Sequence, residues 1–158
     1  MLSRIINLSD SSQHRHASYS VSRWAFLRAL GIIYLIAFIS LWTQVIGLVG
    51  HNGILRADQF LQTARQQLGP ERYWLLPTLC WLNASDGFLC ALCAAGSVLS
   101  LLLILDVAPS LVLCLLWVLY LSLVTVCREF LGFQWDNLLL ETGFLAILFS
   151  PLRLRPDL

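Results

Sequence analysis

Long apolar runs are the feature that most constrains this chain of 158 residues. The first extends from about residue 26 to 49, and a helix rising 1.5 Å per residue over that length crosses the roughly 30 Å hydrocarbon core of a bilayer. Further runs cover about 87–105, 110–126 and 133–149. We therefore predict an all-α fold, a polytopic transmembrane helix bundle of about four spans.

The composition excludes other classes of protein. Charged residues make up 12% of the chain, whereas a soluble domain carries about 25%. Together with 58% hydrophobic residues, this excludes a soluble globular enzyme and a disordered chain. The net charge of +1 offers no basic field, so we expect no nucleic-acid partner. The partner that the composition predicts is the lipid bilayer.

The chain divides into three parts by polarity. Residues 1–22 are polar and predict a mobile N-terminal tail. Residues 23–151 contain the transmembrane bundle, and residues 152–158 form a short C-terminal tail. The tail is not a secretory signal, because an apolar run that starts near residue 26 and continues to 49 is too long for one.

The first loop contains a short amphipathic helix. Over residues 58–68, one helical face carries Phe60, Leu61, Ala64 and Leu68, and Gly69-Pro70 ends the pattern. We expect this helix to lie on the membrane surface. Ser85 or Asp86 is suited to cap the helix that follows. The aromatic residues expected to anchor the loop at the interface are Tyr73, Trp74 and Trp81.

The arginines predict the orientation. With four spans both termini share a side, and six arginines lie there against four on the other side. The positive-inside rule then places the termini in the cytoplasm and the loop at 50–86 outside it. The first set is Arg4, Arg15, Arg23, Arg28, Arg153 and Arg155, and the second is Arg56, Arg65, Arg72 and Arg128.

No pattern of a metal, cofactor or catalytic site can be assembled. Cys90-x-x-Cys93 has no second cysteine pair and no histidine beside it, so zinc would lack two ligands. The five cysteines lie mostly in apolar runs, where cysteine behaves as a small hydrophobic residue. We expect no cofactor, no metal and no enzymatic activity.

The fourth span contains the polar residues that an apolar helix should not have. Gln134, Asn137 and Glu141 are spaced i, i+3, i+7 and share one stripe. Glu141 lies deep in the span, and ionisable groups at that depth are costly unless they are paired or functional. Asp136 lies nearer the start of the span and points elsewhere, about 140° around the helix from Glu141.

The first span offers a matching polar stripe. If spans one and four run antiparallel, the two stripes meet and form a buried polar seam between the helices. Three interpretations stay open: the seam holds the bundle together, it is a substrate or proton site, or it contacts further helices. The stripe of span one is Ser40, Thr43, Gln44 and Gly47. The candidate site residues are Thr43, Gln44, Gln134, Asp136, Asn137 and Glu141.

Several segments resemble the lipase maturation factor family. The most distinctive is Phe133-Gln-Trp-Asp-Asn-Leu-Leu-Leu-Glu-Thr-Gly-Phe-Leu-Ala146. The others are residues 26–38, 40–44, 50–55, 77–82 and 117–122. Together the resemblance covers about 24–151, and it is closer to the second of the two animal paralogues, or to a bacterial relative, than to the first.

The resemblance implies a multi-pass membrane protein that helps secreted clients such as lipases to fold or assemble, in a chaperone-like role without a known reaction. In animals it implies the endoplasmic reticulum membrane, and in bacteria the plasma (inner) membrane. It also implies a longer protein with further transmembrane segments and a large C-terminal domain linked to lipase binding, so this chain is expected to be a fragment. The alternatives are a membrane enzyme or a small transporter subunit that uses Glu141.

Overall fold

The computed structural model describes the backbone of residues 2–150 and the side chains of residues 21–150. Within this range the chain is helical and contains no β-strand, which confirms the all-α prediction. Single 3-10 turns lie at Gly69–Glu71 and Leu79–Trp81. The helices are α1 (Leu2–Val49), α2 (Ala57–Leu68), α3 (Arg72–Leu75), α4 (Asp86–Ile104), α5 (Pro109–Val126), α6 (Arg128–Leu131) and α7 (Gln134–Phe149).

Three helical segments of the described chain are long and apolar enough to cross a membrane. They are Val21–Val49, Asp86–Ile104 and Pro109–Val126, each with a mean hydropathy of 2.2 or 2.3. α7 lies where the fourth span is predicted, but its 16 residues extend only about 24 Å. The chain is an integral membrane protein, and its described part contains three helical segments of spanning length and a fourth, shorter apolar helix.

α1 begins well before the predicted start of the first span. The helix starts at Leu2, whereas the apolar run starts near residue 26. The residues before the run contain neither glycine nor proline, so nothing in the backbone chemistry ends the helix there. Hydropathy therefore marks where the membrane segment begins, and the helix itself extends beyond it.

The bundle core is built on one face of α1. α1 packs along α4, α4 packs on α5, α5 packs on α7, and α7 returns to touch α1. Gly96 of α4 faces the ring of Phe38, and an added Cβ would collide with that ring, so glycine permits this close approach. The buried side chains of α1 recur every three or four residues, and they are Leu27, Leu30, Tyr34, Phe38, Leu41, Val45 and Val49.

The first loop folds back onto one end of the bundle. α2 buries Ala57, Leu61 and Ala64, which confirms the predicted amphipathic helix. Two of the four residues of its predicted apolar face, Leu61 and Ala64, are buried, and Phe60 and Leu68 are partly buried. Gly69, with φ of +53°, ends that helix as expected. Ser85 caps α4 by accepting the N–H of Phe88 at 3.4 Å, as predicted.

Hydrogen bonds fix the loop to the ends of the spans. The backbone N–H of His51, just after α1, donates to the Asp86 carboxylate at the start of α4 over 2.7 Å. The Thr78 hydroxyl donates to the Ser122 carbonyl of α5 over 2.9 Å. In return the Ser122 hydroxyl accepts the N–H of Leu79 at 3.1 Å. The loop is thus attached to α4 and α5.

Candidate functional site

Two ring donors attach the last helix through its backbone. The hydroxyl of Tyr34 in α1 donates to the Leu139 carbonyl of α7 over 3.3 Å. The indole N–H of Trp117 in α5 donates to the next carbonyl, Leu140, over 3.0 Å. Because the membrane interior supplies no water, a buried ring donor needs such a protein acceptor. Two different helices therefore hold adjacent peptide groups of α7.

A third bond joins α5 to a carboxylate of α7. The hydroxyl of Tyr120 donates to Oδ1 of Asp136 over 2.6 Å, the short distance expected when the acceptor is charged. The Tyr120 ring is buried, and it packs edge-on against Tyr34, with centroids 5.8 Å apart, and against Phe38 at 5.6 Å. Packing thus fixes the direction of the hydroxyl before it meets the carboxylate.

Between α1 and α7 lies a cleft of about 270 Å³ with polar groups on two sides. Ser40 and Gln44 line it from α1, while Tyr120 and Asp136 line it from α5 and α7. Apolar side chains complete the wall, namely Ala37, Leu41, Leu48, Phe130 and Leu131. The cleft is the polar site that the two helices form together.

Gly143 lets α7 approach α1. A Cβ at this position would collide with the Tyr34 hydroxyl and lie 3.2 Å from its ring carbon Cζ. The residue is buried. Any larger side chain would push α7 away from the tyrosine and weaken the bond to the Leu139 carbonyl.

The structure brings together two of the six predicted site residues, Gln44 and Asp136, which line the same cleft. It does not bring Gln134, Asn137 or Glu141 to α1, since all three are exposed on the outer side of α7. Thr43 is exposed too, and its hydroxyl donates to the Ser40 carbonyl of its own helix over 2.8 Å. Asp136, expected to point away from the partner helix, is the residue that points inward.

The rotation of α7 explains this difference. Its buried residues are Leu139, Gly143 and Ala146, which define the face toward α5 and α1. At 100° per residue, Asp136 lies near that face and Glu141 lies almost opposite it. The sequence reveals the polar stripe but not which side of the helix packs, because both sides of α7 carry leucines.

None of the three donors that hold α7 is among the six residues predicted for the site. Trp117 and Tyr120 lie in the apolar helix α5, and both donate hydrogen bonds to α7. For the two tyrosines, the sequence does indicate a hydrogen-bonding role inside the bundle. Tyr34 and Tyr120 lie in the middle of apolar spans, away from the interface where tyrosine is usual, so their hydroxyls require a partner inside the bundle.

The arrangement consists of interlocking polar contacts between helices. Within residues 21–150, no group of three His, Cys, Asp or Glu side chains could hold a metal ion. Cys80, in the loop, is buried, and this burial raises the pKa of its thiol. Beside Glu141 lies a shallow apolar hollow formed by Trp117, Leu140 and Phe144.

A charged contact lies in the loop beside the bundle. Arg56 donates to the Asp58 carboxylate over 2.7 and 3.1 Å, and Asp58 also accepts the N–H of Gln59 over 2.8 Å. The hydrogen bond from Arg56 holds the pKa of Asp58 below its ordinary value. Beside this pair, a cavity of about 500 Å³ opens between α2 and α6, lined by residues that include Ile54, Phe60 and Arg128.

Comparison with known proteins identifies the family. The model of the lipase maturation factor transmembrane domain matches residues 21–157. Lipase maturation factor 2 of Mus musculus is 45% identical over 145 residues, and that of Homo sapiens is 40% identical over 144 residues. Each alignment covers 87% of this chain and 20% of the relative.

Lipase maturation factor 1 of Bos taurus is 35% identical over 146 residues, covering 87% of this chain and 26% of the relative. The higher identity to the second paralogue agrees with the expectation from sequence. The chain spans about a fifth to a quarter of the length of these relatives. No solved structure matches the chain. The chain belongs to the lipase maturation factor family.

Proposed function

We propose that this chain is the membrane-embedded part of a maturation factor that helps secreted proteins such as lipases to fold or assemble. The observation that carries the proposal is the match of residues 21–157 to the transmembrane domain of lipase maturation factors. In this role the protein acts by binding a client and catalyses no covalent reaction.

The chemistry of the bundle supports a non-enzymatic role. The inward-facing carboxylate, Asp136, is already engaged by Tyr120, so its hydrogen-bonding capacity serves packing between helices. The deep carboxylate, Glu141, faces away from the cleft and lies beside apolar side chains. An acid–base pair needs two groups facing one substrate, and Asp136 and Glu141 lie on opposite sides of their helix.

We further propose that the chain is part of a longer polypeptide in the endoplasmic reticulum membrane, with cytoplasmic termini. Relatives about four to five times longer support the first statement. The arginine distribution supports the orientation, which places the folded loop from His51 to Ser85 on the lumenal side, where secreted clients fold. A glycosylation acceptor inserted in this loop tests the orientation, and an unmodified acceptor would contradict it.

The decisive experiment measures lipase maturation in cells depleted of their own lipase maturation factors. A secreted lipase is co-expressed with the 158-residue chain in one of two forms. The first form is the chain alone, and the second is a chimera in which the chain replaces the corresponding segment of mouse lipase maturation factor 2. We expect the chimera to restore lipase activity per unit of secreted lipase. A matched control is a chimera with Gly143→Leu, which should fail because the last helix cannot seat against α1.

The proposed function would be contradicted if a well-expressed chimera without the Gly143→Leu substitution left lipase activity at the level of the depleted cells. Restoration by the 158-residue chain alone would instead contradict the statement that it works as part of a longer polypeptide. The two statements are therefore separable in one assay.

A further inference from the structure

The segment of the loop that follows α2 exposes apolar side chains although it lies outside the spanning helices. Residues 73–85 contain no charged residue. Trp74 is 90% exposed and Leu82 is 81% exposed, and Tyr73 and Leu75 are exposed as well. These four side chains are named here the loop patch. Exposed apolar side chains that are grouped together mark a contact with a membrane or with another protein.

Contacts within the loop bring the two ends of the loop patch together. The Tyr73 ring packs against the Trp81 ring, with centroids 5.9 Å apart. The Trp81 indole N–H donates to the Leu76 carbonyl over 2.9 Å. Because Leu82 directly follows Trp81, and the other members of the patch precede Leu76, these two contacts gather the exposed side chains in one place. Of the three anchors expected from the sequence, Tyr73 and Trp74 belong to the patch, whereas Trp81 bonds inside the loop.

Hydrogen bonds to α5 fix the depth of this segment. The Thr78 hydroxyl donates to the Ser122 carbonyl over 2.9 Å, and the Leu79 N–H donates to the Ser122 hydroxyl over 3.1 Å. Ser122 lies four residues before Val126, the last residue of α5, which is about 6 Å along the helix axis toward the membrane centre. The segment that joins the two ends of the patch therefore lies at the depth of the last turn of a spanning helix, and not above the bundle.

α2, in the same loop, presents a different surface. Its apolar face packs on the bundle core, so the side chains that it leaves exposed are polar. They are Gln59, Gln62, Thr63, Arg65, Gln66 and Gln67. A surface of amides, a hydroxyl and a guanidinium is suited to water, whereas the loop patch is not. The contact with the membrane surface that the sequence predicts for α2 is therefore better made by the loop patch.

We propose that the loop patch is embedded in the lipid leaflet on its side of the membrane, among the headgroups and the upper parts of the acyl chains. Tryptophan and tyrosine are enriched at this level, because their amphipathic rings contact both the apolar chains and the polar headgroups. The leucine side chains leave water there. A soluble partner would have to reach below the end of a spanning helix to contact the patch, whereas lipid already surrounds that helix. This location follows from the membrane character of the chain and does not depend on the proposed function.

The accessibility of spin labels in the 158-residue protein, reconstituted in phosphatidylcholine liposomes, tests this location. Cys90 and Cys114, which are not buried, are first replaced by serine, and Leu82→Cys then carries a nitroxide label. Gln66→Cys, exposed on α2, is the matched control that faces water, and Val98→Cys, exposed on α4, is the control that faces lipid. Oxygen concentrates in lipid, and a neutral nickel chelate stays in water. We expect the ratio of oxygen to nickel collision rates at Leu82 to be severalfold higher than at Gln66 and to approach that at Val98.

A second label at the other end of the patch, Leu75→Cys, should show the same preference for oxygen. If the labels at Leu82 and Leu75 instead prefer the nickel chelate, as at Gln66, the patch faces water, and a soluble protein becomes its partner in place of lipid. The same labels are also measured in the chimera with mouse lipase maturation factor 2. Labels that neither reagent reaches there would overturn the proposal too, because another segment of the polypeptide would then cover the patch.

Discussion

Removing the Tyr120 hydroxyl is the most direct test of how the last helix is held. Tyr120→Phe keeps the buried ring and its edge-on contacts with Tyr34 and Phe38, and deletes only the donor that lies 2.6 Å from Asp136. The carboxylate is half-buried in the cleft and loses a charge-assisted bond. Hydrogen bonds to charged groups contribute about 1.5–3 kcal/mol, so we expect the free energy of unfolding to fall by about 2 kcal/mol.

A comparison variant separates this bond from a general effect of losing a buried hydroxyl. Tyr34→Phe removes a longer bond, 3.3 Å, to a neutral carbonyl whose own helix already provides a donor. The expected loss is about 0.5–1 kcal/mol, typical of a neutral hydrogen bond. The two tyrosines therefore differ in predicted cost although both are almost completely buried.

Reversible unfolding in mixed detergent micelles, followed by far-ultraviolet circular dichroism, gives the free energies. A double-mutant cycle with Tyr120→Phe and Asp136→Asn should yield a coupling energy of about 1–2 kcal/mol. Additive effects within about 0.5 kcal/mol, or an equal loss for Tyr34→Phe, would refute the reasoning. Either result would mean that the carboxylate obtains its stabilisation from another source.

Three further predictions use the same unfolding measurement. Gly143→Ala should cost about 1–3 kcal/mol because its Cβ collides with the facing tyrosine, whereas Gly47→Ala, which meets open space, should cost nothing; equal losses would contradict the close approach. Asp58→Asn should lower stability at neutral pH and not in acid. Arg56 lowers the pKa of Asp58 in the folded protein below its ordinary value of 3.8. The contribution of this carboxylate to stability is therefore complete above pH 3.8 and is lost as the pH falls through the lower, folded pKa. A pH-independent difference would exclude this bond as the cause. Ala108→Gly should raise stability by about 0.5 kcal/mol. Ala108 has a left-handed backbone with φ of +42°, which costs an L-residue about 1–2 kcal/mol and costs glycine nothing. Glycine loses more conformational entropy on folding, which removes part of this gain, and a loss of stability would contradict the left-handed conformation.

Hydropathy predicted the helical fold because length and apolarity determine what can cross a bilayer. The spans near 87–105 and 110–126 end within a residue or two of α4 and α5. Local chemistry was equally informative, as the cap at Ser85 and the helix end at Gly69 show. These features depend only on neighbouring residues.

Helix rotation was not predictable by the same means. In a soluble protein a polar stripe marks the side away from the core, but in a membrane it can mark either side. The stripe of Gln134, Asn137 and Glu141 was expected to face α1, and it lies on the outer side of α7 instead. What sets the rotation is the fit of Gly143 to Tyr34 and the bond from Tyr120 to Asp136, which join residues distant in sequence.

Attachment of α7 through peptide oxygens has a consequence for how the sequence can vary. Tyr34 and Trp117 recognise the main chain at positions 139 and 140, and every amino acid presents the same carbonyl there. Substitutions at these two positions therefore leave the attachment points in place as long as the helix persists. The packing of α7 therefore depends more on the space that Gly143 leaves for Tyr34 than on which side chains stand at positions 139 and 140.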